Sequence, residues 1–306
     1  MPDLNPLAII QYFFEVPLFV AGLLLNGLIV ALLVHKSKSA VSASRLNTLL
    51  CCLSGLSGFW CLFNLVISVC SLVSESPTEA LLKLIGCVTA SWIQLSLWLN
   101  LILALERYIH VCGSWGLWLD RLLFGTVLAL CTTSITVTVW AYATTSFGSS
   151  LMIFIWSQLI LSVYFTTCIG AIILYTRTYF YAIKKVGQYL QNTAGDQSAS
   201  ISVKRTILKN SILMTTSFIV SFTPLIALLT WTNQFTTYEY LSIRPDSYYA
   251  VYGFMNLLNA LDPIITALIV IYFVPDLKRE ISNRLCCGQR KHGKPESEEE
   301  SFASAT

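Results

Sequence analysis

The chain has 306 residues, 55% of them hydrophobic and only 11% charged, with a formal net charge of +3 and a mean hydropathy of +0.68. Soluble domains carry about a quarter charged residues, so an ordinary soluble fold is excluded and a membrane protein is indicated. The small net charge gives no reason to expect a nucleic-acid partner.

A spanning helix needs about 20 mainly apolar residues. Seven stretches reach that length: Ala8–Val34, Leu46–Val73, Leu84–Val111, Leu122–Thr144, Leu151–Ile183, Ile207–Trp231 and Tyr248–Val274. The expected fold is therefore an all-α membrane protein, a seven-transmembrane helix bundle over residues 8–274. Residues 1–7 form a short extracellular N-terminus with no basic start, so the first helix is expected to act as its own insertion signal, and no large ectodomain is expected. The fourth stretch is rich in Thr, whose hydroxyls can bond back to their own helix. Glu15, near the outer end of the first helix, is a candidate to meet Lys83, Arg244 or a cationic ligand, an exposed ion pair being the plainer expectation. Cys51, Cys52, Cys61, Cys70, Cys131 and Cys168 lie within apolar stretches and read as packing residues.

Basic residues divide unequally between the loops. Lys36, Lys38 and Arg45, then Arg107 and Arg121, then Lys184, Lys185, Lys204, Arg205 and Lys209 fall in or beside odd-numbered loops, and more follow from Lys278 to Lys294. The positive-inside rule puts these loops and the C-terminus in the cytoplasm, with the N-terminus outside, as for a multi-pass plasma-membrane protein. Residues 187–202 read as a flexible loop. Residues 275–287 open on Pro275 and alternate apolar with basic residues, as a short amphipathic eighth helix on the inner leaflet would. Residues 288–306, polar and then acidic, are expected to be a disordered cytoplasmic tail.

Polar residues inside the apolar stretches are the candidates for function. In the seventh stretch Asp262 sits beside Pro263, an acid and a helix kink at membrane depth. Tyr252, Asn256, Asn259 and Asp262 recur at helical spacing and must face other helices, and Thr89, Ile93, Ser96 and Asn100 form a similar stripe in the third. Interhelical hydrogen bonding is the plainest use for such residues, and the one favoured for Asn100. An intramembrane acid more often belongs to a working site, so Asp262 is a candidate for binding a proton or a cation.

Several motifs, taken in order, resemble those of the rhodopsin-like (class A) G-protein-coupled receptors, as a divergent member would carry them. They are Asn26 in the first stretch, Asn47 and Leu53 in the second, Glu106-Arg107-Tyr108 closing the third, Phe222-Thr223-Pro224 in the sixth, and Asp262-Pro263-Ile264-Ile265-Thr266 followed by Phe273 in the seventh. The resemblance implies a G-protein-coupled receptor that binds a small molecule in the outer half of the bundle and activates a heterotrimeric G protein. Glu106, Arg107 and Tyr108 would form the switch. Lys204, where the family often has an acid, would weaken its inactive latch and raise ligand-free signalling. Thr89, Ile93, Gln94, Phe222, Leu225, Ile226, Tyr252 and Asn256 would line an apolar ligand pocket. Asn26, Ser57, Ser96, Asn100, Asn259, Asp262 and Pro263 would form the core polar network. Ser57 stands where the family usually has an aspartate, which leaves Asp262 as the acid for any sodium ion or proton there.

Other departures narrow the expectation. Thr89 replaces the acid that binds amines, Asn256 replaces the retinal-linking lysine, Leu82 stands where the family's outer disulfide begins, and Thr266 replaces the signature tyrosine. Cys286 and Cys287 read as a palmitoylation site in contact with membrane lipids. Phosphorylation of Ser297, Ser301, Ser304 or Thr306 would recruit a desensitising partner. Two alternatives stay open: a proton- or ion-coupled secondary transporter using Asp262, and a non-signalling decoy receptor, suggested by Phe222 and Thr266. No enzyme is expected, and no cofactor: HExxH and GxSxG are missing, and His35, His110 and His292 have no metal-ligand spacing.

Overall fold

In lipid every backbone N–H and C=O must find a partner within the protein, so long apolar segments become helices. The computed structural model describes residues 6–39, 45–73, 78–112, 117–145, 150–192 and 245–273, together with Leu213, Thr216, Val220, Thr223, Leu277 and Ile281. These form α1 (Pro6–Ser39), α2 (Arg45–Val73), α3 (Glu79–Cys112), α4 (Leu117–Thr144), α5 (Ser150–Asn192) and α6 (Pro245–Phe273).

Among the described residues there are thus six helices, and five of them carry stretches long and apolar enough to cross a membrane: Phe13–His35, Asn47–Cys70, Glu79–Ile109, Asp120–Thr144 and Ser157–Tyr181. In α6 the apolar run among the described residues is shorter, Leu257–Tyr272. The expected seven-transmembrane bundle with an amphipathic eighth helix is not the architecture found. The rhodopsin-like resemblance is corrected with it, as are the receptor and signal-transducing roles drawn from it. Its motifs misled because each meets a general need of any membrane helix: an Arg anchors an end at the interface, a Pro bends, an Asn bonds to a neighbour. Apart from Leu213, Thr216, Val220 and Thr223, which are helical, the expected sixth stretch Ile207–Trp231 lies outside the described residues, and so does the tail 288–306.

The helices associate as two groups of three. α1, α2 and α6 pack on one another, α3, α4 and α5 do the same, and α2 joins the groups by packing on α3. α3 is the central element: 61% of its apolar window is buried, against 17% of that of α4. The outward faces carry large exposed apolar side chains, among them Phe14, Leu24, Leu62, Val69, Leu128, Trp140 and Ile173, as a lipid-facing surface does. On α4 the exposed Thr126, Thr132, Thr133, Thr136 and Thr144 all donate their hydroxyls to carbonyls four residues back, which hides the polar groups from lipid.

Two buried apolar clusters lie within the bundle. One holds Phe19, Trp60, Trp92, Ile93, Leu97 and Ile160, with the Trp60 and Trp92 rings stacked at 4.1 Å and 7°. The other holds Ile29, Leu32, Leu50, Leu103, Val270 and Leu277, with Ile281 against it. Leu277 and Ile281, one turn apart, are the described part of the expected amphipathic segment, and both are turned toward this cluster.

Glu15 departs from its expectation as well. It is buried, at 7% exposure, and Lys83 pairs instead with Glu79 on its own helix at 3.2 Å. The i,i+4 spacing supplies a neighbouring acid at lower entropic cost than an interhelical pair would. Arg244 lies outside the described residues.

Candidate functional site

One group of buried polar side chains lies where α1, α2 and α6 meet. On α2, Ser54, Gly58 and Cys61 fall on one helical face, and on α1, Gly22 and Asn26 are one turn apart. Gly22 makes the meeting possible. A Cβ there would lie 2.8 Å from Cys61 Sγ and 3.3 Å from Pro263 Cβ, so any larger residue would force α1 away from both neighbours. One turn along, a Cβ on Gly58 would be 3.6 Å from that of Asn26.

Asn26 is fully buried and ties α1 to α6. Its Nδ2 donates to Gly22 O at 2.8 Å and to Pro263 O at 2.9 Å. The amide thereby braces the helix at the residue after the acid. Asp262 is 7% exposed and close enough to Cys61 to act on it electrostatically. Ser57 is buried on α2 and Ser96 on α3, while Asn259 is half-buried on α6. Asn26 Oδ1 and Ser54 Oγ are buried with no hydrogen-bond partner among the described residues. Among the described residues the junction holds the Asp262 carboxyl group, the Cys61 thiol, and amide and hydroxyl oxygens. It suits exchange of a proton or coordination of a small cation by oxygen. Among the described residues no group of three or more His, Cys, Asp and Glu side chains is placed to hold a metal ion.

The chain matches no protein-family model and no curated protein. It is a multi-pass helical membrane protein.

The other sequence-derived candidates are distributed over the molecule. Asn100 Nδ2 donates to Ser96 O at 2.9 Å and Thr89 Oγ1 to Ile85 O at 2.8 Å, both within α3. Ile93 is packed in the cluster around the tryptophan pair. Gln94, fully buried, reaches α4, where its Nε2 donates to Thr138 Oγ1 at 2.6 Å. One turn on, Trp98 Nε1 donates to Ser134 Oγ at 3.1 Å. Thr138 and Ser134 thus make a polar seam between α3 and α4. Phe222, Leu225 and Ile226 lie outside the described residues, as do the side chains of Tyr252 and Asn256, although α6 includes both positions.

At the far end of α3, Tyr108 is buried and Arg107 half-buried, its guanidinium interacting electrostatically with Tyr175 of α5. Glu106 keeps a buried Oε2 without a hydrogen-bond partner among the described residues. The G-protein switch assigned to these residues is corrected with the receptor architecture. Lys204, Cys286 and Cys287 lie outside the described residues.

Sequence reasoning passed over Gly22 and Ser54, took Cys61 only as a packing residue, and on the other seam passed over Ser134 and Thr138. A signal for the first set was present. Small residues at helical spacing in an apolar segment mark places where membrane helices approach closely.

Proposed function

We propose that this membrane protein works by taking up and releasing a proton at Asp262, with α6 shifting against α1 and α2 as the charge changes. The observation that carries the reading is the burial of the Asp262 carboxyl at a three-helix junction whose next residue is held by Asn26. Acids at membrane depth are costly when ionised, and for that reason they concentrate in proton and ion pathways. A neutral carboxyl suits such a junction, whereas an ionised one demands hydration or a change in packing. The pair of states therefore differs in how tightly the three helices can close.

The neighbouring groups suit a titrating acid. From α2 the ionisable group coupled to Asp262 is Cys61, while α1 presents the amide of Asn26 and the bare backbone of Gly22. Neither amide nor glycine competes for the proton. The basic residues near Lys36, Arg45, Arg121 and Lys184 favour an extracellular N-terminus and a cytoplasmic C-terminus in the plasma membrane.

Infrared difference spectroscopy on the protein in lipid vesicles tests the proposal. A carboxylic-acid carbonyl band is expected to appear and vanish reversibly across about pH 4 to 9, and to be missing from Asp262→Asn. An identical band in the variant, or none in the wild type, overturns it.

A further inference from the structure

We propose that Asn26 Oδ1 and Ser54 Oγ bind water that carries the Asp262 proton toward the Arg45 end of α2, with Leu50 as the apolar stop on that route. The proposal rests on the reading of Asp262 as a proton site and specifies how the proton reaches it.

Both atoms are fully buried, and neither has a hydrogen-bond partner among the described residues. In an apolar interior such atoms are expensive, and internal water is the usual remedy where polar groups cluster. The Asn26 amide nitrogen is already committed to Gly22 O and Pro263 O, which leaves Oδ1 as an acceptor. Ser54 lies one turn from Gly58, the α2 residue whose Cβ position is 3.6 Å from the Asn26 side chain. A water between them can donate to Oδ1 and exchange hydrogen bonds with the hydroxyl. Buried Ser57 and Asp262 supply further partners, and an internal water typically makes about three.

The direction of the route follows from chemistry. Trp60 Nε1 is also buried without a hydrogen-bond partner among the described residues, but an indole N–H only donates and cannot pass a proton on. The Ser54 hydroxyl both donates and accepts. When Asp262 releases its proton, its O–H bond breaks as a new O–H bond forms on the adjacent water, which hands one of its own protons onward. The next residue on this face of α2 is Leu50, 1% exposed and packed in the cluster with Leu103, Val270 and Leu277. That cluster stops water from running straight through.

The test is hydrogen–deuterium exchange at the Asp262 carboxyl, followed by its infrared band in vesicles moved into D2O, with Asp262→Asn identifying the band. Ser54→Ala, which deletes one oxygen, is expected to slow exchange by about tenfold, as one lost hydrogen bond in the transfer path would. Leu50→Ala, which thins the stop, is expected to accelerate it. Opposite effects from two truncations on one helix face do not arise from general loosening. Slowing in both variants, acceleration in both, or rates equal to wild type overturn the water route while the Asp262 band still titrates. Absence of that band from the wild type overturns the proton site as well.

Discussion

Substituting alanine at glycines of α1 and α2 provides a sharp test of how these helices meet. At Gly22 the new methyl would sit 2.8 Å from Cys61 Sγ and 3.3 Å from Pro263 Cβ. Cys61 is fully buried and Pro263 is a rigid ring, so neither can simply swing aside. Overpacking of this kind costs about 1–3 kcal/mol. Alanine recovers about 1 kcal/mol over glycine through helix propensity, so Gly22→Ala is expected to lose up to about 2 kcal/mol. At Gly27 and Gly55 nothing lies within 4 Å of the added Cβ, and the same substitution is expected to gain up to about 1 kcal/mol. The contrast between sites, about 1–3 kcal/mol, comes from packing alone because the propensity gain cancels. Equilibrium unfolding of the purified protein in mixed micelles with increasing SDS measures it. Adding Cys61→Ala to Gly22→Ala should give back part of the loss, since the nearest clashing atom is then gone. A Gly22→Ala protein as stable as Gly27→Ala, or a double variant no better than additive, would refute the close approach of α1 to α2 and α6.

Two further outcomes concern α4, one at its seam with α3 and one on its exposed face. A double-mutant cycle of Gln94→Leu and Thr138→Val should return a coupling of about 0.6 kcal/mol and no more than about 1.7, the range for hydrogen bonds between membrane helices; zero coupling in the same unfolding assay would remove the 2.6 Å bond from the folded protein. Thr→Ala changes at exposed Thr126, Thr133 and Thr136 should each alter stability by less than about 0.5 kcal/mol, because their hydroxyls bond only to their own helix. A loss above about 1 kcal/mol at any of them would mean that this face of α4 is covered by protein rather than lipid.

Hydropathy and charge carried much of the architecture. An apolar run of sufficient length has no alternative to helix in lipid, so α1 to α5 were legible: Ala8–Val34 became Pro6–Ser39, and Leu122–Thr144 became Leu117–Thr144, while α5 runs nine residues past Ile183 to Asn192, so residues 187–192 are helix and not the expected loop. The Thr-rich fourth stretch kept its helix because back-bonding satisfies its hydroxyls within it. Counting helices was less secure. Among the described residues the apolar run of α6 is Leu257–Tyr272 and includes Asn259 and Asp262, and a total strengthened by short family-like motifs went further than those motifs could carry.

By itself, then, the sequence determined that the chain is a helical membrane protein and that Asp262 must avoid lipid, since the cost of an ionised group in hydrocarbon does not depend on what packs beside it. The partners of that acid were decided only by tertiary structure. Helical periodicity names the face of a helix but not the helix opposite. The Asn26 amide on the Pro263 carbonyl and the Cys61 thiol under the electrostatic influence of Asp262 come from three segments brought together because Gly22 has no side chain to hold them apart.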